Sequence, residues 1–323
     1  MARTYLVTGG AGFIGSNFIR HLLDAEPEAR VTNLDALTYA GVRATVEELD
    51  ADDRHTFVHG DIRDAELLDD LAPDHNVIVN FAAESHVDRS IEGPGAFLDT
   101  NVVGTGVLLE AARRHAVPRF IHVSTDEVYG SVPQGFPDEE ARLEPSSPYS
   151  ASKAAADLLA RSYSVTYGYD VIVTRCTNNY GPYQFPEKVI PLFATNLLDG
   201  KPVPLYGEGL NERDWLYVDD HCAAIHLLVD EGAPGQIYNI GADNQMTNLE
   251  LTRRILDALD ADETMIERVP DRLGHDLRYA VDSSRIRALG WKQTHSFDEH
   301  LRHTIDWYRD RQDWWRPLKE GNR

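Results

Sequence analysis

Short aliphatic and β-branched runs alternate with longer amphipathic stretches over roughly the first 175 of 323 residues. The runs are Tyr5-Leu6-Val7-Thr8, Val31-Thr32-Asn33-Leu34, Thr56-Phe57-Val58, Val77-Ile78-Val79-Asn80-Phe81, Phe120-Ile121-His122-Val123 and Val171-Ile172-Val173-Thr174-Arg175. Their composition is that of buried strands. Between them an apolar-periodic helix runs to about Leu23, a second is expected from Phe97 to His115, and a third from Ala151 to Tyr167. The third has an alanine-rich face suited to close helix packing. Strands alternating with helices predict an α/β fold, a Rossmann doubly wound parallel sheet.

Beyond residue 177 the alternation breaks. Asn178-Asn179-Tyr180-Gly181-Pro182-Tyr183 and proline-spaced segments continue to Leu210, which reads as entry into a smaller substrate-binding part. Gln236-Ile237-Tyr238-Asn239-Ile240-Gly241 looks like a strand returning to the sheet. The expected division is therefore 1–177 for the cofactor domain, completed by about 216–240, and 178–323 mainly for substrate, a part built by insertions. Thr247 with Glu250 three residues later is a capping box that opens a helix through Leu259. Asp219-Asp220-His221 precedes a helix expected over Ala223 to Val229; acids beside a helix start commonly cap it, so no metal site is assigned. Trp307, Trp314 and Trp315 are read as packing residues, and no repeat or low-complexity tract occurs.

Composition narrows the function classes. A net charge of −22 argues against a nucleic-acid backbone as partner. No apolar run approaches the ~20 residues that cross a bilayer, and the chain enters a strand at once, so no membrane and a cytoplasmic location are expected. Five lysines against 26 arginines, with Asp exceeding Glu, fit a protein kept soluble at high salt, although GC-rich coding also favours arginine. Cys176 and Cys222 lack a CxxC or nucleophile setting and read as buried free thiols.

Candidate chemistry gathers at strand ends. Gly9, Gly12 and Gly15 follow the first strand and open a helix. They permit a tight turn, close approach of the backbone to a pyrophosphate and close helix–sheet packing. Asp35 ends the second strand 20 residues beyond Gly15, where a carboxylate accepts from ribose hydroxyls and repels a 2′-phosphate, selecting NAD. Asp61-Ile62 and Ala82-Ala83-Glu84-Ser85-His86 follow further strands, the first placed for adenine and the second for cofactor and substrate. Ser124-Thr125-Asp126-Glu127 ends the fifth run. Tyr149 and Lys153, four apart on a helix, would let the ammonium lower the phenol's pKa, so that it takes a proton from a sugar hydroxyl. Alone, the two acids also read as solvated loop residues.

These residues resemble the extended short-chain dehydrogenase/reductase superfamily, and more narrowly its thymidine-diphosphate-glucose 4,6-dehydratases. The broader signs are the Thr8 to Gly15 motif and Tyr149 with Lys153. The narrower ones are Leu37 to Gly41 (LTYAG), Ala82 to Ser90 (AAESHVDRS), Thr125 to Gly130 (TDEVYG), Asn178 to Tyr183 (NNYGPY), Pro186-Glu187-Lys188 and Arg213 to Val218 (RDWLYV). The Asp126-Glu127 pair is decisive, since related epimerases never eliminate water.

The resemblance implies NAD held by Gly9, Gly12, Phe13, Ile14, Gly15, Asp35, Leu37, Thr38, Asp61, Ile62, Ala82, Ala83, Ser85, Thr100, Tyr149, Lys153 and Asn179. It implies dTDP-glucose met by Ser85, Thr125, Asn178, Lys188, Val189, Pro204, Tyr206, Arg213, Asn248, Arg272 and His275. Arginine forks at 213 and 272 suit a diphosphate that a −22 protein otherwise repels. Catalysis would fall to Thr125, Asp126, Glu127, Tyr149 and Lys153. The implied cycle is that of a redox-neutral hydro-lyase: Tyr149 takes the C4 hydroxyl proton as hydride leaves C4, Glu127 removes the C5 proton, Asp126 protonates the departing C6 hydroxyl, and hydride returns to C6. A homodimer packed through the two long helices is also implied. Leu273 stands where proline is expected and Thr177 where cysteine is common. A UDP-sugar epimerase or decarboxylase, which would not use both acids, and a non-catalytic NAD-binding protein are the competing readings.

Overall fold

The computed structural model describes residues 2–321. Six strands come first: β1 Thr4–Thr8, β2 Arg30–Asp35, β3 His55–His59, β4 Val77–Asn80, β5 Arg119–Thr125 and β6 Val171–Cys176. They are followed by β7 Asn178–Tyr180, β8 Val203–Tyr206, β9 Glu212–Tyr217, β10 Ile237–Ile240, β11 Gln245–Thr247 and β12 Ile266–Val269. The main sheet is parallel throughout, in the order β10-β6-β5-β4-β1-β2-β3, with β1 central between the two directions of winding. The expected returning strand is β10, paired with β6.

Side-chain alternation along each strand divides the core between the sheet's two faces. Tyr5, Val7, Val31, Val77 and Val79 point to one face, under α1 (Phe13–Ala25). Leu6, Leu34, Ile78 and Phe120 point to the other. That second face is covered by α2 (Ala65–Leu71) and by a long helical run that follows α3 (Val87–Glu92): α4 (Gly95–Phe97), a π-helical Leu98–Gly104, and α5 (Thr105–Arg114). The helix expected over 97–115 is therefore interrupted by a wide turn, which carries Thr100 and Asn101.

The helix that bears the tyrosine and lysine, α6, spans Pro148–Tyr167 and starts three residues earlier than expected. Ser147 accepts from the Ser150 amide while the Ser150 hydroxyl accepts from the Ser147 amide, and Pro148 fills the first position, where no donor is needed. Such a cap contributes about 1 kcal/mol. Here it also places Tyr149 in the first helical turn, at the mouth of the sheet.

The remaining helices are α7 (Val189–Leu198), α8 (Val218–Glu231), α9 (Asn248–Ala258), α10 (Ser284–Ala288), α11 (Phe297–Asp310) and α12 (Gln312–Lys319). The helix expected over 223–229 starts at Val218, so Asp219-Asp220-His221 lie within its first turn. Asp220 is occupied by the amides of Thr294 and His295 and by the Thr294 hydroxyl and His295 ring. A three-stranded β11-β9-β7 sheet and a two-stranded β12-β8 sheet lie over a separate apolar cluster that includes Tyr180, Phe193, Trp215, Leu251, Phe297 and Ile305. Thr247 and Glu250 form the expected capping box at α9. Trp314 and Trp315 pack with Tyr308 and Trp307, and both cysteines are buried and free.

Candidate active site

A cleft of about 290 Å³ lies across the carboxyl ends of β1, β2, β4, β5 and β6. Its floor is the β1–α1 turn. Gly9 has φ +72°, and a Cβ there would lie 2.6 Å from the Ala82 backbone; a Cβ on Gly15 would lie 2.4 Å from the Gly9 carbonyl oxygen. Only glycine fits, because the helix, the turn and the β4 loop meet backbone to backbone. Gly12 caps α1 without a side chain, and the first turn holds no acid, so the helix N-terminus is open to an anion. Asp35, at the end of β2, stands beside this turn. Its two oxygens accept from the Ala11 and Leu37 amides at 2.8 and 2.7 Å, while burial holds its carboxyl above the ordinary range. An anion-binding glycine turn with a hydroxyl-accepting carboxylate beside it, at the ends of neighbouring parallel strands, has the donor set of a dinucleotide site.

Of the residues expected to hold cofactor, Gly9, Gly12, Phe13, Ile14, Gly15, Asp35, Thr38, Asp61, Ile62, Ala82, Ala83, Ser85, Thr100, Tyr149, Lys153 and Asn179 line this cleft. Leu37 does not. It takes φ 51° and turns its amide onto Asp35, orienting the carboxylate rather than contributing a wall.

The chemistry-bearing residues meet at the end of β5. Lys153 donates to the Val123 carbonyl oxygen at 2.8 Å, which pins α6 against the strand. Thr125 accepts from the Glu127 amide at 3.2 Å and donates to Asp126 at 3.3 Å, and Asp126 to Tyr129 form a short 3₁₀ turn. Asp126 is 3% exposed, and its second oxygen has no protein partner. Burial first, and then the neighbouring Glu127 and Asp214 carboxylates, hold its carboxyl well above the ordinary range. Glu127 is raised too, chiefly by burial, with Arg272, Arg213 and Lys188 pulling it back. The carboxyl pushed up further, beside one that three cations ease toward ionisation, suits an acid next to a base.

Tyr149 departs from the sequence expectation. Burial and the Glu127 carboxylate push its phenol well up rather than toward neutrality, and only the Thr125 hydroxyl pulls it down. Lys153 is itself lowered by burial. Spacing put the ammonium on the right face of the helix, but it could not reveal how completely the pair is removed from water.

The expected substrate residues come from separate segments. Asn178 and Lys188 line the cleft beside Thr125, Glu127 and Ser85; the Lys188 ammonium donates to the Ser85 carbonyl oxygen at 3.0 Å, and burial lowers its pKa. Arg213 lies over the Tyr279 ring, 4.1 Å from its centroid, and its fork donates to the Glu212 and Asp276 carbonyl oxygens. Arg272 faces Asp88 at 3.8 Å and leaves its buried Nε without a partner. Tyr206 and His275 meet edge to face, His275 bonds Asp271 at 2.6 Å, and Tyr206 reaches Asp88 at 3.4 Å. Pro204 lies on β8, Val189 starts α7 and Asn248 starts α9, none of them against the cleft wall.

Other residues of the site were not singled out from the sequence. Tyr279 places its hydroxyl 2.8 Å from Asp276 and 3.4 Å from Glu127. Asn101, in the π-helical turn, bonds both backbone groups of Glu84 and the Ser152 hydroxyl, tying the β4 loop to α6. Tyr39 bonds Ser85, and Cys176, Gln184, Phe185 and Glu187 complete the wall. Tyr39 lies inside Leu37 to Gly41 and Glu187 inside Pro186-Glu187-Lys188, and those motifs are their signal in the sequence. Tyr279 carries no local signal.

Fold and site together define a dinucleotide-dependent enzyme acting on a sugar nucleotide. A family model described as GDP-mannose 4,6 dehydratase matches residues 6–304, and the chain belongs to that family. It is 55% identical over 321 residues to a dTDP-glucose 4,6-dehydratase from Streptomyces antibioticus, covering 98% of this chain and 95% of that one. It is 52% identical over 303 residues to the low-salt glycan biosynthesis protein Agl12 of Haloferax volcanii, covering 94% and 97%. Among solved structures, DesIV, a dTDP-glucose 4,6-dehydratase from Streptomyces venezuelae with NAD bound, superposes with a TM-score of 0.96 at 55% identity, covering 98% and 99%.

Proposed function

We propose that the protein is an NAD-dependent dTDP-glucose 4,6-dehydratase, a hydro-lyase that forms dTDP-4-keto-6-deoxyglucose and water. The observation that carries this reading is the adjacent pair at the end of β5, Asp126, which is buried, and Glu127, which lines the cleft with Tyr149 and is influenced by Lys188, Arg213 and Arg272. Epimerisation at C4 needs Tyr149 and Lys153 but neither acid; removing water across C5 and C6 needs one group to take a proton and another to give one.

NAD, when bound, would take up hydride from C4 and return it to C6. Gly9, Gly12 and Gly15 with the α1 N-terminus would hold its pyrophosphate, Asp35 a ribose, and Asp61-Ile62 the adenine. Tyr149 would accept the C4 hydroxyl proton, with the Thr125 hydroxyl favouring the ionised phenol and the Lys153 ammonium held one helical turn away by the Val123 carbonyl. Glu127 would remove the C5 proton, made acidic by the C4 ketone, and Asp126 would donate to the leaving C6 oxygen. Arg213, Arg272 and Lys188 would bind the diphosphate and hold Glu127 ionised. Residues to 177, together with about 216–240, form the cofactor part, and the rest mainly binds substrate.

Two further readings belong here. Leu98, Val103, Leu158, Val165 and Tyr167 on the two long helices are exposed, between 52% and 78%, and we infer that a second copy covers them in a homodimer. Among the described residues no helix is long and apolar enough to cross a membrane, and the free thiols fit a reducing cytoplasm. The function is tested by incubating the protein with dTDP-glucose and NAD at enzyme-stoichiometric amounts. Catalytic turnover to a 4-keto sugar, read by its alkali-induced absorbance, is expected; a need for one NAD per product would overturn it.

A further inference from the structure

Behind the cleft wall lies a buried ionic network that the reaction as described does not use. Asp157 stands one helical turn beyond Lys153 on α6, 2% exposed. One carboxylate oxygen accepts from Arg175 Nε at 2.9 Å. The other has no hydrogen-bond partner and faces His122 Nε2 at 3.7 Å. Arg175 continues to the Tyr129 hydroxyl at 2.8 Å and covers its ring, and that hydroxyl donates to Asn239 at 2.8 Å. Tyr129 ends the same 3₁₀ turn that carries Asp126 and Glu127.

None of Asp157, Arg175, Tyr129 or His122 lines the cleft. A buried carboxylate with only one of its oxygens bonded is costly unless something uses its charge. Around Asp157 stand Lys153 on α6, His122 on β5, its pKa kept low by burial and the nearby ammonium, Ser124 at the end of β5, and Arg175 on β6, which leads on to Tyr129. Burial raises the Asp157 carboxyl, and Arg175, Ser124 and Lys153 pull it back, while the Cys176 thiol, pushed up to about 12, lies near Lys153. Lys153 itself is bonded only to a neutral carbonyl, and Asp157 is the nearby charge that favours its ammonium.

We propose that Asp157 is a positioning residue: the buried counter-charge of Lys153, held by Arg175 in a network that also fixes the turn bearing Asp126 and Glu127. It acts through Lys153 and touches neither substrate nor cofactor. The proposal rests on the dehydratase reading only as far as C4 oxidation by Tyr149 and Lys153.

The test follows C4 oxidation in a single turnover, by NADH absorbance, across pH. In Asp157→Asn the amide can still accept from Arg175 but has no charge, so the Lys153 ammonium is lost at lower pH. The alkaline limb should move down by about one pH unit, a roughly tenfold rate loss at fixed alkaline pH, with little change in KM. Asp157→Glu should keep the wild-type limb. Arg175→Lys, with a weaker grip on the carboxylate, should move the limb the other way and serves if Asp157→Asn does not fold. A lowered melting temperature with an unmoved limb in whichever variant folds would show a merely structural network and overturn the proposal. A wild-type protein that forms no 4-keto sugar from dTDP-glucose would instead overturn the proposed function.

Discussion

The cofactor part and the substrate part bind their ligands by different physics. In the first, the contacts come from backbone: a glycine turn, an uncapped helix N-terminus and strand ends locked by the parallel registers of β1, β2 and β4. In the second, they come from long side chains, Lys188, Arg213 and Arg272, carried on three segments far apart in sequence and resting on two small sheets. A site made of backbone tolerates almost no added atom. A site made of cations tolerates backbone change but not charge change, and Asp126 and Glu127 stand where the two parts meet.

Changes at that junction should have the largest effect, about 10²–10⁴-fold in turnover for either neutral amide. Glu127→Gln should still oxidise C4 in a single turnover but exchange no C5 hydrogen with deuterated solvent. Asp126→Asn should oxidise and exchange, yet eliminate slowly. Tyr149→Phe should give no NADH signal. A Glu127→Gln enzyme with normal turnover would remove the base from the scheme.

One methyl group then separates the parts. Gly15→Ala puts a Cβ 2.4 Å from the Gly9 carbonyl oxygen and should weaken NAD binding at least tenfold by calorimetry, about 1.4 kcal/mol. Gly274→Ala meets nothing closer than 3.5 Å, and its left-handed φ of +63° should cost about 1 kcal/mol of stability with NAD affinity unchanged. Equal effects on NAD at the two positions would erase the distinction.

This contrast also explains what could be read from the sequence. The main sheet and its glycine turn were legible because parallel strands buried on both faces leave unbroken apolar runs, and because backbone contact demands glycine at fixed spacing. The Tyr149–Lys153 pair is legible from helical periodicity, but its helix starts three residues ahead of the alanine-rich stretch because the Ser147–Ser150 capping box and Pro148, which carry no apolar period, set its first turn. The π-helical turn at Leu98–Gly104 has no periodic signature, and tertiary packing alone reveals that Asn101 reaches Glu84 and Ser152. Arg213 and Arg272 were named through family resemblance; nothing local to either tells which carboxylate it faces.

Arg272→Leu tests the cationic part alone. It removes the largest of the three cationic pulls on Glu127, so that carboxyl should rise further above the 4.5 of an ordinary glutamate. The base must be ionised, so activity is lost as pH falls through its pKa. The acid limb of kcat/KM should therefore move to higher pH, together with a raised KM for the sugar nucleotide. A higher KM with an unmoved limb would confine Arg272 to diphosphate binding.

Salt should have the smallest effect, and it acts on the two parts differently. With 53 acids against 31 basic residues, carboxylate repulsion outweighs the exposed ion pairs that salt also weakens, each worth only about 0–1 kcal/mol. Raising KCl from 0.1 to 1 M shortens the screening length from about 10 to about 3 Å, so the melting temperature should climb; chloride is preferable to sulfate, which stabilises by exclusion as well. NAD affinity, resting on amides and a glycine turn, should change little over the same range, whereas KM for the sugar nucleotide should rise as the three cations are screened. A melting temperature that is flat or falls would count against self-repulsion as the governing surface force. Parallel weakening of NAD and sugar nucleotide would mean that the cofactor site depends on charge as much as the substrate site does.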